Sequence, residues 1–412
     1  MAAKLNVFMV GGRRCGKTTV LSRIYDHFNE VLRHDAPGEM DLLVSSLNGA
    51  DIPHITKANS AIDAIFTEHA YDEDFIVEDY NPTQDISEIS FILTPTHGRQ
   101  NLSVCFRDIP GEWCNGKSAD GKDTVTAKGI NGIECTKSPL DFVVDYLKAS
   151  NVAIIAIDTP AMMEEEGAFN NTVNRIGPIT EAFKSIVDTG GNENLSDKLI
   201  LFVPLKCEKY VVNPDGSIDN DGMMTVAEKV QESYSDLIDF LKNTPPLNDS
   251  ISAAILPIVT IKEVLWSKFG CLWEGQRSSI YNDLGRPRSF PPQYDSEKVL
   301  FSYFSFRNEK RYLEIIDTKS KTKAGSEFCE QPLVYALVYS MNLYLYRQQH
   351  PAKQGGGFFE QMGRYLREIY ESIADLFSEN TDFKSEAQRL SSTKMKRGNG
   401  FEIIQDARRL LG

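Results

Sequence analysis

The chain has 412 residues and a formal net charge of −14 at pH 7. This acidic balance argues against a broad electrostatic surface for nucleic acid, which needs clustered basic residues, so we expect no nucleic-acid partner, although a local basic patch stays open. The length suffices for one large domain with insertions or for two domains.

Membrane, zinc and disulfide-rich classes are also excluded. No uninterrupted apolar run reaches the roughly 20 residues that cross a bilayer, and no charged leader precedes an apolar run, so we expect a cytoplasmic protein without a transmembrane segment. The seven cysteines form no C-x-x-C pair. Cys15 alone attracts attention, because a helix N-terminus lowers a thiol pKa and favours oxidation; inert filling of a loop is the alternative.

The first predicted element is a short apolar strand, Leu5–Val10, followed at once by Gly11–Thr18, which reads G-x-x-x-x-G-K-T. Helical spacing follows, so the context is strand, loop, helix, as a phosphate-binding loop requires. Lys17 would reach the β- and γ-phosphates, and the Thr18 hydroxyl would ligate Mg²⁺. The predicted nucleotide-binding residues of this loop are Gly11, Gly12, Arg13, Arg14, Cys15, Gly16, Lys17, Thr18 and Thr19.

Apolar runs then alternate with helix-like segments, a pattern that predicts an α/β fold with a mostly parallel sheet. The predicted strands are Leu5–Val10, Ile86–Leu93, Leu102–Phe106, Val152–Ile157, Leu199–Val203 and Ile251–Ile258. The second and third runs are separated by residues 94–100 alone, which leaves no room for a helix. We therefore predict one antiparallel hairpin in the sheet.

Three stretches are longer than a minimal domain needs: residues 35–80, 115–138 and 269–295. Their composition is typical of mobile surface insertions. Gln331–Tyr346 is predicted to be an apolar helix packed on the sheet, with a glycine hinge after it. We therefore predict a domain over residues 1–350 and a C-terminal helical extension and tail over residues 351–412.

The extension carries an apolar stripe at helical spacing from Phe358 to Phe377. Its other face is charge-balanced, which argues against a membrane-surface helix. Packing on its own domain and docking on a partner or a second copy both remain open. We expect the mildly basic tail to be flexible as far as Phe401–Leu411.

A second nucleotide motif, D-x-x-G, follows the strand Leu102–Phe106 as Asp108–Gly111. An aspartate there can hold Mg²⁺, and the Gly111 N–H can contact a γ-phosphate, so the loop would sense the nucleotide state. Thr83 precedes the first hairpin strand and is a further candidate Mg²⁺ ligand. An ordinary turn threonine is the alternative.

With these residues the sequence resembles the Ras-like and translation-factor-related P-loop GTPases over about residues 1–350. The resemblance implies a three-layer, G-domain-like fold and Mg²⁺-dependent hydrolysis of GTP to GDP. It also implies two switch regions, at about residues 72–85 and 108–138, that order around the γ-phosphate. A fainter resemblance to bacterial double-GTPase families lies in Pro204–Glu208 and Glu330–Leu333.

The base-reading motif departs from the family, because Leu205-Lys206-Cys207-Glu208 stands where N-K-x-D is expected. Lys206 can still lie along a purine face, and Glu208 can accept hydrogen bonds from guanine N1–H and N2–H₂. The alternative is a lysine and a glutamate on a solvated turn. By order along the chain, residues 257–261 occupy the place where a backbone N–H would contact guanine O6.

The catalytic positions also differ from the family pattern, because Glu112 stands where the family has a water-positioning glutamine. Its charge would face the γ-phosphate unfavourably unless a cation compensates. Arg13 or Arg14 could supply that cation, or could face solvent or pair with an acidic insertion. The candidate catalytic residues are Lys17, Thr83, Gly111, Glu112, Arg13 and Arg14.

The sequence therefore predicts a Mg²⁺-dependent GTP-binding and hydrolysing switch that couples its nucleotide state to a protein effector. One alternative is a P-loop ATPase or phosphotransferase, and another is a nucleotide-binding scaffold with little hydrolysis. A homodimer is a further possibility, because a second copy can complete a site that lacks the usual glutamine.

Overall fold

The computed structural model describes residues 3–12, 15–32, 40–45, 86–95, 102–118, 121–130, 132–188, 195, 197–213, 216–245, 247–262, 264–267, 298–304, 310–316, 325–350 and 387–411. The strands are β1 (Ala3–Gly11), β2 (Met40–Ser45), β3 (Ser87–Pro95), β4 (Leu102–Asp108), β5 (Val125–Lys128), β6 (Glu134–Lys137), β7 (Val152–Asp158), β8 (Lys198–Leu205), β9 (Ile251–Ile255), β10 (Val264–Ser267), β11 (Lys298–Phe304), β12 (Lys310–Ile316) and β13 (Glu402–Asp406).

The α-helices are α1 (Lys17–Leu32), α2 (Pro139–Ala149), α3 (Thr159–Met163), α4 (Asn170–Asn174), α5 (Ile176–Asp188), α6 (Glu208–Val211), α7 (Asn220–Ser233), α8 (Ser235–Asn243) and α9 (Gln331–Gln349). Among them, none combines the length and the hydropathy that a bilayer crossing requires. A 3₁₀ helix, Gly111–Asn115, follows β4 directly.

The main sheet has eight strands in the order β13-β9-β8-β7-β1-β4-β3-β2. Strands β4, β1, β7, β8 and β9 run parallel to one another. All six predicted strands are found in this sheet, so the α/β class and the mostly parallel arrangement are confirmed. Apolar runs of this length are typical of parallel strands, which are covered on both faces.

Both faces of the sheet centre are indeed covered. Every residue of β7 and of β8 is buried, and successive side chains of a strand point to opposite faces. Helix α9 contacts β8 and α1, while α2 packs on α5. The core is therefore layered, with helices around a buried sheet.

The predicted hairpin is confirmed, because β3 and β4 pair antiparallel from Ser87 opposite Asp108 to Leu93 opposite Leu102. Strand β2 was not predicted and pairs antiparallel with β3. It falls within the stretch 35–80 that was taken for an insertion. A six-residue strand at a sheet edge gives little periodic signal, which explains the omission.

The end of the chain returns to the sheet within Phe401–Leu411, where the expected flexible stretch ends. Strand β13 pairs antiparallel with β9, and the Tyr335 hydroxyl of α9 donates to the Lys396 carbonyl at 2.6 Å. Asn342, also on α9, donates to the Leu410 carbonyl at 2.9 Å. Residues 387–411 thus include contacts with β9 and α9, whereas the predicted helix Phe358–Phe377 lies outside the described residues.

The stretch 115–138 contains regular structure rather than an irregular loop. Strands β5 and β6 form an antiparallel hairpin, and the Tyr146 hydroxyl of α2 donates to the Lys128 carbonyl at 2.8 Å, which holds the hairpin on the domain. The stretch 269–295 lies outside the described residues. The strands that flank it, β10, β11 and β12, form a separate antiparallel sheet.

Lys198, the first residue of β8, should give the stability of the fold a distinctive pH dependence. Its buried amine donates to the carbonyl oxygens of Lys148 and Ser150, and burial lowers its pKa from 10.5 to about 7. Between these two values the unfolded chain binds a proton that the folded chain does not. The free energy of unfolding therefore rises with pH across this window, by up to about 1.4 kcal/mol per pH unit.

Urea unfolding at several pH values between 7 and 10 measures this contribution. We expect Lys198→Met to lose part of the rise, whereas Lys184→Met, which removes a lysine from α5 that is not buried, should retain it. Identical pH profiles for the wild type and Lys198→Met would contradict the assignment.

Candidate functional site

The carboxyl ends of four parallel strands meet at one edge of the sheet. Met9 pairs with Asp108, Gly11 with Ala156, and Asp158 with Leu205. In open α/β sheets such an edge forms the crevice in which ligands bind. The two predicted nucleotide motifs follow the ends of β1 and β4 and are therefore neighbours.

The phosphate loop ends as a helix N-terminus. Helix α1 begins at Lys17, and its first regular backbone hydrogen bond runs from Val20 N to Gly16 O at 2.9 Å. The amides of Lys17, Thr18 and Thr19 consequently lack partners within the helix, as at any helix start. Gly16 has φ of +107°, a backbone conformation that favours glycine. Arg13 and Arg14 lie outside the described residues.

At position 12, glycine is required by close packing and not by its backbone conformation. A Cβ atom at this position would lie 1.9 Å from the carbonyl oxygen of Val173 in α4. Helix α4 thus rests directly on the backbone of the phosphate loop. No larger residue fits at Gly12 unless one of the two backbones moves.

Lys17 lies inside this loop. Its Nζ donates to the carbonyl oxygens of Gly11 at 3.3 Å and Gly12 at 3.2 Å, and it lies 3.7 Å from Asp108 Oδ1. Burial acts to lower the pKa of Lys17, but nearby groups, among them the Asp108 carboxylate, outweigh it and raise the pKa. Lys17 is therefore a cation at the centre of the crevice.

Thr18 and Asp108 meet across the ends of α1 and β4, where the Thr18 hydroxyl donates to Asp108 Oδ2 at 3.4 Å. The Asp108 side chain is almost completely buried. A buried carboxylate needs nearby positive charge, and Mg²⁺ prefers hard oxygen ligands such as these two. The pair therefore fits the predicted Mg²⁺ site, whereas the third predicted ligand, Thr83, lies outside the described residues.

The D-x-x-G motif continues into the Gly111–Asn115 helix, which the sequence did not predict. Trp113 is buried against Phe142 of α2, with ring centroids 5.3 Å apart. The Cys114 thiol points to the Gly11 carbonyl, at 3.9 Å. The helix, and Glu112 with it, therefore lies beside the phosphate loop.

Cys15 does not have the reactive character that its position suggested. The side chain is completely buried, and burial raises the pKa of its thiol. The effect of removing the thiolate from water exceeds that of the nearby lysines. Inert filling of the loop, the alternative stated above, is the better interpretation.

Lys206 follows the end of β8 and contacts the phosphate loop. Its Nζ donates to Asp158 Oδ2 at 3.1 Å, and its Cε lies 4.0 Å from the position that a Cβ on Gly16 would occupy. Its backbone has φ of +58°. The stem of Lys206 thus lies beside the loop, and its charge is paired with Asp158.

Glu208 is completely buried, not on a solvated turn. Its Oε1 accepts hydrogen bonds from Thr260 N at 2.9 Å, Thr260 Oγ1 at 3.0 Å and Ile261 N at 3.1 Å. Its Oε2 is also buried and has no hydrogen-bond partner among the described residues. Burial raises the pKa of this carboxyl. The loop 257–261, expected to contact a base, is therefore already bound to Glu208.

Sequence reasoning missed several residues of the site. Asp158 caps α3 by accepting from Ala161 N at 3.0 Å and also pairs with Lys206. Asn174 is completely buried, accepts from Asp158 N at 2.7 Å and donates to Asp158 O at 3.1 Å. An acidic residue after the apolar run of β7 was a usable signal for Asp158. Nothing in the sequence marks Asn174.

No family model matches this chain, and no curated protein matches it. The resemblance to P-loop GTPases therefore stays a prediction from the motifs.

Proposed function

We propose that this protein binds GTP and GDP with Mg²⁺ and hydrolyses GTP slowly, as a G-domain-like P-loop switch. The observation that carries the proposal is the contact of Lys17 and Thr18 with Asp108 across two adjacent strand ends. A lysine, a hydroxyl and a carboxylate at a helix N-terminus are what a Mg²⁺-bound triphosphate requires.

The arrangement of the sheet supports the same proposal. The phosphate loop follows the central strand β1, Asp108 ends the parallel neighbour β4, and the antiparallel β3 lies beside β4. A nucleotide bound at this edge contacts both motifs at once.

Each residue has a distinct task in this proposal. Lys17 and the amides at the start of α1 bind the β- and γ-phosphates, and Thr18 with Asp108 holds the metal. Bound Mg²⁺ would offset the negative charge of the phosphate oxygens. The Gly111 amide, in the first turn of its helix and without an intrahelical acceptor, contacts the γ-phosphate. The protein effector binds according to the resulting position of this helix.

Hydrolysis is expected to be slow because the Glu112 carboxylate places a negative charge next to the negatively charged γ-phosphate. The same feature favours the second candidate, a scaffold that binds nucleotide with little hydrolysis. Single-turnover hydrolysis by the wild type, Lys17→Ala and Glu112→Gln separates the two. A wild-type rate no higher than that of Lys17→Ala favours the scaffold.

Guanine preference is assigned to Glu208. Three donors fix Oε1, so the orientation of the carboxylate is set, and Oε2 is left as an acceptor for the N–H groups of guanine. Adenine has no donor at N1 and would be bound more weakly. Access of a base to Oε2 requires movement of the groups that bury it.

Glu208→Gln tests this role, because glutamine retains one oxygen for the three donors and replaces the other with an NH₂ group. A lost hydrogen bond to a charged acceptor is worth about 1.5–3 kcal/mol, so we expect GTP affinity to fall by at least about tenfold while ATP affinity does not. Glu164→Gln, which removes a carboxylate that binds Lys209 and Tyr210, is the matched control. Equal effects of both substitutions on GTP affinity would refute the assignment.

The proposal as a whole is tested by fluorescent GTP and ATP analogues added to the purified protein with Mg²⁺. We expect tight binding of the GTP analogue, displacement by GDP and little displacement by ADP. Equal binding of both analogues, without selective displacement by GDP, would reject the guanine-specific switch.

A further inference from the structure

The segment Val173–Arg175, at the end of α4, contacts both parts of the proposed nucleotide site. The Val173 carbonyl is packed against Gly12 of the phosphate loop. Two residues later, the Arg175 guanidinium lies against Asn115, the last residue of the Gly111–Asn115 helix. With the Asn115 amide oxygen facing it, Arg175 donates to that oxygen from Nη1 at 2.7 Å and from Nη2 at 3.2 Å.

The segment between these two contacts is held firmly. The Asn174 side chain makes hydrogen bonds to the backbone N–H and C=O of Asp158 and donates to Asn170 Oδ1 at 2.8 Å. Arg175 itself has φ of +57°, and its backbone N–H caps α4 by donating to the Asn171 carbonyl at 3.0 Å. The Arg175 side chain is therefore connected to the phosphate loop through a segment whose backbone and Asn174 side chain are hydrogen-bonded.

The other end of the contact is a short helix in which Gly111, Trp113 and Cys114 are buried and Asn115 is exposed. The Gly111–Asn115 helix ends at Gly116, whose φ of +69° turns the chain away. Trp113 fixes the middle of the helix, while Asn115 is exposed to solvent apart from its contact with Arg175. A bidentate, charge-assisted hydrogen bond therefore adds a directed contact at the exposed end of this helix.

We propose that Arg175 is a positioning residue that holds the Gly111–Asn115 helix, through Asn115, in the place where Gly111 and Glu112 meet the γ-phosphate. The inference rests on the proposed function for its consequence in hydrolysis, but the contact itself is independent of nucleotide. It also differs from the expectation for Arg13 and Arg14, because Arg175 acts through the helix and not on the phosphate.

The first test is amide hydrogen exchange of residues 111–116 in the nucleotide-free protein. Loss of the hydrogen bonds between Arg175 and Asn115 should speed exchange about tenfold in Arg175→Met and in Asn115→Ala. Asn115→Asp strengthens the pair and should slow exchange. Lys184→Met on α5 is the control variant and should leave the exchange of residues 111–116 unchanged. Peptides of β8 are the internal control, and their exchange should be the same in every variant.

The second test is single-turnover GTP hydrolysis together with GDP affinity. We expect Arg175→Met and Asn115→Ala to lower the rate at saturating GTP to a similar extent, about tenfold, with GDP affinity changed less than about threefold. Arg175→Lys should rescue only in part, because an ammonium cannot form the bidentate contact.

The results of these two tests distinguish a failure of the positioning role from a failure of the proposed function. Unchanged exchange in Arg175→Met overturns the positioning role, whether or not the protein binds nucleotide. A rate loss in Arg175→Met that Asn115→Ala does not share also overturns it, because Arg175 would then act on the phosphate itself. Faster exchange in both variants, with no GTP bound by the wild type, supports the positioning role and refutes the proposed function.

Discussion

Lys17→Ala is expected to abolish measurable binding of GTP and GDP while Lys4→Ala leaves it unchanged. The Lys17 ammonium is buried between the Gly11 and Gly12 carbonyls and the Asp108 carboxylate, at the position where the phosphate charge is proposed to lie. Its removal takes away the positive charge that the protein itself places beside the phosphates, so the attraction for them is greatly weakened. We expect affinity to fall by at least about 100-fold, which corresponds to about 2.7 kcal/mol.

Thr18→Ala separates the metal from the lysine. It removes the hydroxyl that contacts Asp108, so the affinity gained by adding Mg²⁺ should shrink, while the affinity measured in EDTA should change little. Isothermal titration with and without Mg²⁺ measures both affinities.

Lys4→Ala is the control for Lys17→Ala, because it removes a lysine that pairs with Glu88 at 2.7 Å, away from the loop. Wild-type affinity in Lys17→Ala would refute the assignment of the loop.

Gly12→Ala is expected to destabilise the fold strongly, although alanine is the smallest side chain that can be added. The new Cβ would lie 1.9 Å from Val173 O and 3.0 Å from Val173 C, and both are backbone atoms that cannot rotate away. Overpacking of this kind typically costs about 1–3 kcal/mol, and the rigid surroundings favour the upper end. Urea unfolding measures the loss.

Gly177→Ala is the matched control for this prediction. Gly177 lies in α5, close to the same segment, but a Cβ there would meet only Asn171 Oδ1 at 3.7 Å, an ordinary contact. Because alanine is a better helix former than glycine, but Gly177 lies in the first turn of α5, we expect no loss and a gain of at most about 0.5 kcal/mol. A Gly12→Ala protein as stable as the wild type would contradict the close packing of α4 on the phosphate loop.

The fold class was predictable because its signals are local. Long apolar runs such as Val152–Ile157 specify buried strands wherever they lie, and the short connection 94–100 allows only a hairpin. Strands β2 and β13 were missed because edge strands are short and carry weak patterns. Their pairing depends on open edges of β3 and β9 that are distant in sequence.

The stretch Leu205–Glu208 shows a second limit of prediction from the sequence. The sequence placed Lys206 and Glu208 after β8, but it left open whether they face a ligand, solvent or the protein. The structure pairs Lys206 with Asp158 and buries Glu208 against Thr260 and Ile261. These partners are about 50 residues away along the chain in each case, and no spacing rule connects them.

By itself, the sequence determined the strand–loop–helix arrangement around Gly11–Thr18, the position of Asp108–Gly111 after a strand, and the mainly parallel sheet, because each depends on neighbouring residues and on a fixed period. Only the tertiary structure decided that α4 packs on Gly12, that Cys15 is completely buried, and that Arg175 contacts Asn115. Those features arise when segments far apart in the chain exclude water from one another. Burial and close contact of that kind are properties of the assembled fold, not of any stretch of residues.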